Sequence, residues 1–268
     1  MRFKFTLLLF LSACCSLSVQ ADVLTLGAAH DTSVFENSVN NSAGGGPGIF
    51  AGTNSANSKR RGLIFFDLTS IPAGATIINV QFTLTLGLVA GAPPPTATIG
   101  LFSLTRTWGE GTAGSGASGI GGSGQGSPAN AGDATWNAAF FPGTAWTVAG
   151  GDHISTASAS LTLSTSPLDT SRTWLSTPQL VADVQGWVNN ASTNFGWELI
   201  NANESSANSI SGFYSREWST STFGGAISHA GDVPELQMTY VVPEPASVSL
   251  AAIAALSLLL ARPLRRRA

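Results

Sequence analysis

From Ile78 to Leu88 the chain alternates with a period of two. Ile78, Val80, Phe82, Leu84, Leu86 and Leu88 point one way, and Asn79, Gln81, Thr83, Thr85 and Gly87 point the other. That pattern predicts a strand with one buried and one wet face. Gly62 to Leu68 is instead an apolar run broken only at Asp67, which predicts a strand covered on both sides. Shorter runs over residues 96–105, 158–163, 195–200, 211–214 and 235–242 add further strands. In the last of them Leu236, Met238 and Tyr240 alternate with Gln237, Thr239 and Val241. Turn residues such as Ile71-Pro72-Ala73-Gly74 punctuate the runs. One segment keeps a helical period instead. Thr177 can cap it and Pro178 suits its first position, and Leu180, Val181, Val184, Trp187 and Val188 then share a face up to Asn189-Asn190. The expected fold is all-β, a jelly-roll-like antiparallel β-sandwich with one short helix across one end.

Residues 109–132 are rich in Gly and Ser and nearly uncharged. They read as a flexible loop inside one domain spanning 22–241, because Trp108 and Trp136 on either side have the look of core or strand-end residues. An interdomain linker is the alternative.

The two ends obey other rules. Arg2 and Lys4 precede an apolar run from Phe5 to Leu11, and Val19-Gln20-Ala21 is a small-x-small site. Residues 1–21 therefore read as a secretory signal peptide, removed by signal peptidase after Ala21. Leu11-Ser12-Ala13-Cys14 offers a rival, lipidation at Cys14. With cleavage after Ala21, Cys14 and Cys15 leave with the leader and the mature chain has no cysteine. At the other end, Pro243-Glu244-Pro245 precedes the apolar residues 246–261 and a basic tail, 262–268, that holds Arg265, Arg266 and Arg267. As a transmembrane helix the apolar part rises about 24 Å, short of a hydrocarbon core of about 30 Å. The Arg cluster keeps its side cytoplasmic.

Pro-Glu-Pro, apolar helix and Arg cluster, in that order, resemble the PEP-CTERM sorting signal over residues 242–268. The resemblance implies an exosortase partner, transient residence in the inner membrane, processing near the Pro-Glu-Pro motif, and a final place at the cell surface or outside the cell.

Charge narrows the options for the body. Charged residues are 10% of the chain, against roughly 25% in ordinary domains. Residues 22–241 carry six basic and fourteen acidic side chains, a net charge of −8, which excludes a nucleic-acid footprint. The scarcity of Lys and Glu and the absence of heptads exclude a coiled coil. Seven tryptophans supply core material and argue against charge-driven disorder.

A second resemblance covers about residues 24–241. Asp31 precedes Phe35; then come Arg61-Gly62-Leu63-Ile64-Phe65-Phe66-Asp67-Leu68, Thr107-Trp108-Gly109-Glu110 and Ala134-Thr135-Trp136-Asn137. Asp183-Val184-Gln185-Gly186-Trp187, Asn194-Phe195-Gly196-Trp197, Tyr214-Ser215-Arg216-Glu217 and Pro234-Glu235-Leu236 complete the succession. It resembles DNRLRE (disaggregatase-related) domains, which implies a sandwich akin to carbohydrate-binding modules on extracellular bacterial proteins.

Candidate chemistry is sparse. Sugars need aromatic faces with amides or carboxylates alongside. Trp108, Trp136, Trp146 and Trp218 lie near polar loops and are the carbohydrate-binding candidates, with core packing as the competing role for each; Trp174, Trp187 and Trp197 sit in apolar patterns and are expected in the core. Calcium is the one candidate cofactor, with Asp31, Glu36, Asp232 and Glu235 flanking the first and last strands as ligands and solvated loop acids as the alternative. Asp67 and Asp183, each in an apolar run, are expected to pair with Arg61 and Arg216. No catalytic residue is assigned. His30, His153 and His229 stand apart, no Gly-x-Ser-x-Gly occurs, and Glu110 with Asp133 is only a weak acid–base pair. The expectation is a non-catalytic exported surface or matrix protein that holds exopolysaccharide. A polysaccharide hydrolase or lyase on the same scaffold, or a structural coat protein without ligand, are the alternatives.

Overall fold

A computed structural model describes residues 20–116, 124–220 and 232–243 of the chain. Residues 1–19 with Cys14, where the leader is expected, the centre of the Gly/Ser segment, Glu244, Pro245, the apolar residues 246–261 expected as a transmembrane helix, and Arg265 to Arg267 lie outside the described residues.

The strands are β1 (Ala21–Gly27), β2 (His30–Phe35), β3 (Asn41–Ser42), β4 (Gly48–Thr53), β5 (Lys59–Phe65), β6 (Thr76–Val89), β7 (Thr96–Ser103), β8 (Ser127–Pro128), β9 (Ala138–Phe140) and β10 (Thr144–Ala145). They continue with β11 (Ala159–Ser164), β12 (Thr170–Trp174), β13 (Trp197–Asn201), β14 (Ser211–Tyr214) and β15 (Glu235–Val241). The helix α1 (Pro178–Asn189) precedes β13. Eleven of the strands form one antiparallel sheet in the order β1-β15-β6-β14-β4-β5-β13-β7-β11, with β12 added to β6 and β2 added to β5. Strands on both sides of residues 109–132 are neighbours in it: β7 pairs with β11 and β13, and β6 with β12, β14 and β15.

The sheet curls because its apolar positions need a shared interior. Val80, Phe82, Leu84 and Leu86 of β6, Leu236 and Met238 of β15 and Trp174 of β12 come from one limb. Ala97, Ile99 and Leu101 of β7, Trp197 and Leu199 of β13 and Ala159 and Leu163 of β11 come from the other, and all belong to one buried cluster. Each such large side chain contributes on the order of 1.5–3 kcal/mol by leaving water.

The alternation in β6 holds from Val80 to Leu86 and breaks at both ends. Thr239 of β15 pairs with Asn79 and Tyr240 with Ile77, so Ile78 is skipped. This bulge turns Ile78 outward at 53% exposure and Ile77 inward at 5%, the reverse of the expectation for Ile78. A second skip, at Gly87 opposite β14, moves Leu88 from the face of Leu86 to a separate cluster with Phe35, Phe50, Tyr214 and Trp218. The run from Gly62 is covered on both faces as expected, with Ile64 in the main core and Leu63 in an outer cluster.

α1 starts as its residues dictate. The Thr177 hydroxyl accepts the Leu180 N–H at 3.0 Å, and Leu180, Val184 and Trp187 are buried. Trp187 meets Trp197 with ring centroids 4.5 Å apart. Among the described residues no helix is long and apolar enough to cross a membrane.

The long connection between β7 and β11 folds back over the outer face of β5 and β13. Its Leu104, Ala134, Trp136, Ala139 and Trp146 pack with Val34 and Leu63 in the outer cluster. The described parts of the Gly/Ser segment are hydrogen-bonded to the body of the domain. β8 pairs with β3, the Ala113 carbonyl accepts the Gly45 N–H at 2.8 Å, and the Gln125 side chain accepts from the buried Arg60 guanidinium at 2.9 Å.

Candidate functional site: a carboxylate cluster beside an aromatic groove

Three segments far apart in sequence meet at one point. β2 supplies Asp31, the residues after β7 supply Glu110, and the 3-10 turn Arg216–Thr220 supplies Arg216 and Glu217. Asp31 is fully buried; its Oδ2 accepts the Arg216 backbone N–H at 2.8 Å, and its own N–H donates to Glu110 Oε1 at 2.8 Å. The Arg216 guanidinium forks onto Glu110, with Nε 2.6 Å from Oε1 and Nη2 3.0 Å from Oε2, and Nε also lies 2.9 Å from Glu217 Oε1. His30 Nδ1 is 3.1 Å from Glu110 Oε2 at the exposed rim. One carboxylate oxygen from each of Asp31, Glu110 and Glu217 lies within 4.8 Å of the other two. Gly44 permits this packing, since a Cβ there would sit 1.9 Å from the Glu110 carbonyl oxygen.

Burial first, and then the charge of Glu217, push Asp31 well above the usual carboxylate range. Burial likewise pushes Glu217 up to about 7, against the opposing pull of Arg216. Asp31 Oδ1 is a buried oxygen without a hydrogen-bond partner among the described residues.

A groove opens beside the cluster. His30, Phe65, Thr107, Trp108, Asn194 and Phe195 line a pocket of about 220 Å³. It shares Phe65 and Asn194 with a second pocket of about 330 Å³, whose wall carries Asp67, Thr69 and Trp187. The His30 and Phe65 rings stack at 5.6 Å and 26°, and Trp108 is held by its Nε1–H donating to the Phe195 carbonyl at 2.9 Å. Rings, hydroxyls, an amide and a carboxylate thus border one concave surface.

A second buried charge network lies under the β7–β11 connection. Arg61 forks onto Glu204, with Nε and Nη2 each 2.9 Å from one oxygen, and stacks on Trp136 at 5.4 Å. The fully buried Glu198 lies 2.6 Å from His153 Nδ1 and 3.5 Å from Arg61 Nη1. Burial pushes Glu198 up, a shift that His153 and Arg61 oppose.

The sequence candidates distribute unevenly over these features. Trp136, Trp146 and Trp218 are only 6% exposed, so their faces are closed to a sugar. The outer apolar clusters claim them. Of the four, Trp108 alone borders the groove. Trp174, Trp187 and Trp197 are in the core as expected. Of the four calcium candidates, Asp31 alone is in a carboxylate cluster among the described residues. Glu36 instead takes the Lys59 N–H at 2.9 Å and the Lys59 ammonium at 2.8 Å. Glu235 stands on β15 opposite Gly27, and Asp232 lies near Tyr214, whose phenol its charge helps to raise. The four do not converge because the opening segment is two strands: β1 pairs with β15, whereas β2 pairs with β5. The expected Asp–Arg pairs also fail. Asp67 is exposed and accepts the Thr69 N–H at 2.9 Å. Asp183 accepts from Ser158, from Gln179 at 2.9 Å and from Trp197 Nε1 at 3.0 Å. Glu110 and Asp133 have separate partners, Arg216 for the first and the Asn130 N–H at 2.9 Å for the second. Glu217, Glu204 and Glu198 escape sequence reasoning, because a lone acid in a strand or loop carries no local signal of what it will meet.

No protein-family model and no curated protein matches this chain.

Proposed function

We propose that this chain is an exported, non-catalytic surface or matrix protein whose body holds exopolysaccharide in the groove floored by Phe65 and Trp108. The groove is the observation that carries the reading. The Phe65, Trp108 and Phe195 rings that line it suit the C–H faces of pyranose units, and Thr107, Thr69, Asp67 and His30 offer the polar groups that hydroxyls need. The architecture reads as a jelly-roll-like sandwich of the DNRLRE kind, with the two limbs of the curled sheet as its layers. The sorting reading rests on the tail sequence: exosortase and signal peptidase process the chain, which resides in the inner membrane through residues 246–261 before release.

Affinity electrophoresis of the full chain in gels containing the host exopolysaccharide tests the groove. Retardation is expected, and Phe65→Ala or Trp108→Ala should weaken it at least tenfold, with folding checked by circular dichroism. Absence of retardation with that polysaccharide and with a panel of neutral and acidic glycans would favour a ligand-free coat. Release of reducing ends would favour the hydrolase.

A further inference from the structure

Three buried charge groups differ in how well they are balanced: the Glu198–His153 pair, the Arg60 pocket and the Asp31 cluster. Arg60 is satisfied by neutral acceptors, Ser58, Gly124 and Gln125. Glu198 lies against two side chains, with His153 Nδ1 at 2.6 Å and Arg61 Nη1 at 3.5 Å. The Asp31 carboxylate instead meets, among the described residues, one backbone donor, the Arg216 N–H at 2.8 Å.

We infer that Asp31, Glu110 and Glu217 form a binding site for one hard divalent cation, Ca²⁺ in an extracellular setting. The inference does not depend on the glycan reading. Two oxygens on opposite sides of a Ca²⁺ ion at about 2.3–2.6 Å are about 4.6–5.2 Å apart. The three carboxylate oxygens here, mutually within 4.8 Å, therefore fit the sphere of a single ion. The second observation is Asp31 Oδ1. Its residue is fully buried, its other oxygen is engaged by the Arg216 N–H, and Oδ1 itself meets no donor among the described residues. An acceptor desolvated in this way calls for a cation or a proton.

Charge and donor type choose the ligand. Three carboxylates gather around the Arg216 guanidinium, with the His30 imidazole at the rim. Oxygen-only donors select a hard ion over zinc or copper. Glu110 and Glu217 keep side-chain exposures of 11% and 18%, enough for water to complete a coordination number of about six to eight. Arg216 is the internal rival. Its fork already takes both Glu110 oxygens, so an entering ion shares that carboxylate with a positive charge. Affinity should therefore be modest, a dissociation constant on the order of 10⁻⁴–10⁻³ M as in extracellular modules.

The rivalry supplies a two-sided test. The full chain in mild detergent is titrated with CaCl₂ and MgCl₂ by calorimetry, and with Tb³⁺ by tryptophan-sensitised luminescence, at about pH 7.5 and without glycan. One Ca²⁺ site is expected. Asp31→Asn should weaken it at least tenfold, Arg216→Gln should tighten it several-fold, and Glu36→Gln should leave it unchanged. Circular dichroism checks each variant, and the gain in Arg216→Gln keeps the test decisive if Asp31→Asn does not fold. No Ca²⁺ or Tb³⁺ signal in the folded parent would mean that Asp31 keeps a proton instead, and the inference falls. Binding that persists unchanged in Asp31→Asn, or is lost in Glu36→Gln, would place the ion elsewhere and also overturn it. Because no glycan is present, either failure leaves the groove reading standing.

Discussion

On the inner side of β13, Trp197 meets Phe66, Phe82 and Trp187 with ring centroids 6.4, 6.2 and 4.5 Å away. On the outer side, one residue along, Glu198 is as deeply buried but lies against His153 and Arg61. The inner face is held mainly by apolar contact, which is non-directional and tolerates a slow drift of geometry. The outer face, under the β7–β11 connection, combines an apolar cluster with charges that need named partners, because a buried charge is costly unless paired. A strand can bury both faces, then, but by two kinds of interaction with different sensitivities to mutation and to pH.

The largest effect should come from removing a shared ring. Trp197→Ala is expected to cost about 3–5 kcal/mol and to lower a single cooperative unfolding transition. Trp146→Ala, in the outer cluster, should instead loosen residues 104–153 while β6 and β13 keep their protection in hydrogen exchange. Uniform loss of protection in Trp146→Ala would show that the two faces unfold as one unit. A smaller contrast lies at the β6 bulge. Ile77→Thr should cost about 1–3 kcal/mol and Ile78→Thr less than about 0.5 kcal/mol, read from denaturant midpoints. Equal costs would remove the bulge from the account.

The smallest effect is a pH dependence confined to the outer face. Glu198 has a raised pKa in the folded state, so its stabilising contribution is complete below the ordinary carboxyl range and is lost as pH rises through the folded value. Glu198→Gln lacks that loss. Its melting temperature should exceed the parent's by about 2–4 °C at pH 8, a gap that closes or reverses at pH 4. A variant less stable than the parent at pH 8 would mean that the pairing with Arg61 and His153 outweighs burial.

Much of the inner face is legible in the chain. Val80 to Leu86, Leu236 with Met238, and the Thr177-Pro178 start of α1 are local patterns whose period reports a single buried side. The bulges are not, because one skipped residue at Ile78 or Gly87 leaves the composition of the strand unchanged while reversing the facing of its neighbours beyond the skip. Nor is the closing of Trp136 and Trp146, since a tryptophan beside a polar loop looks the same whether the loop bends over it or away. Of the carboxylate cluster, Asp31 is recognisable as a ligand type. Its convergence with Glu110 and with Arg216, 79 and 185 positions away, depends on topology that no short window contains.

The pairing of β1 with β15 sets Ala21 directly across from Val241. For a polypeptide made from its N-terminus onward, the opening ribbon must wait, its hydrogen-bonding edge bare, until nearly the whole body has been made. Closure of this kind is slow, because the loop it seals is almost as long as the domain. The same adjacency brings the entry and exit points of the backbone to one corner. Anything joined before residue 20 and anything joined after residue 243 would start from that corner side by side, so one attachment there would hold the whole body by a single pivot.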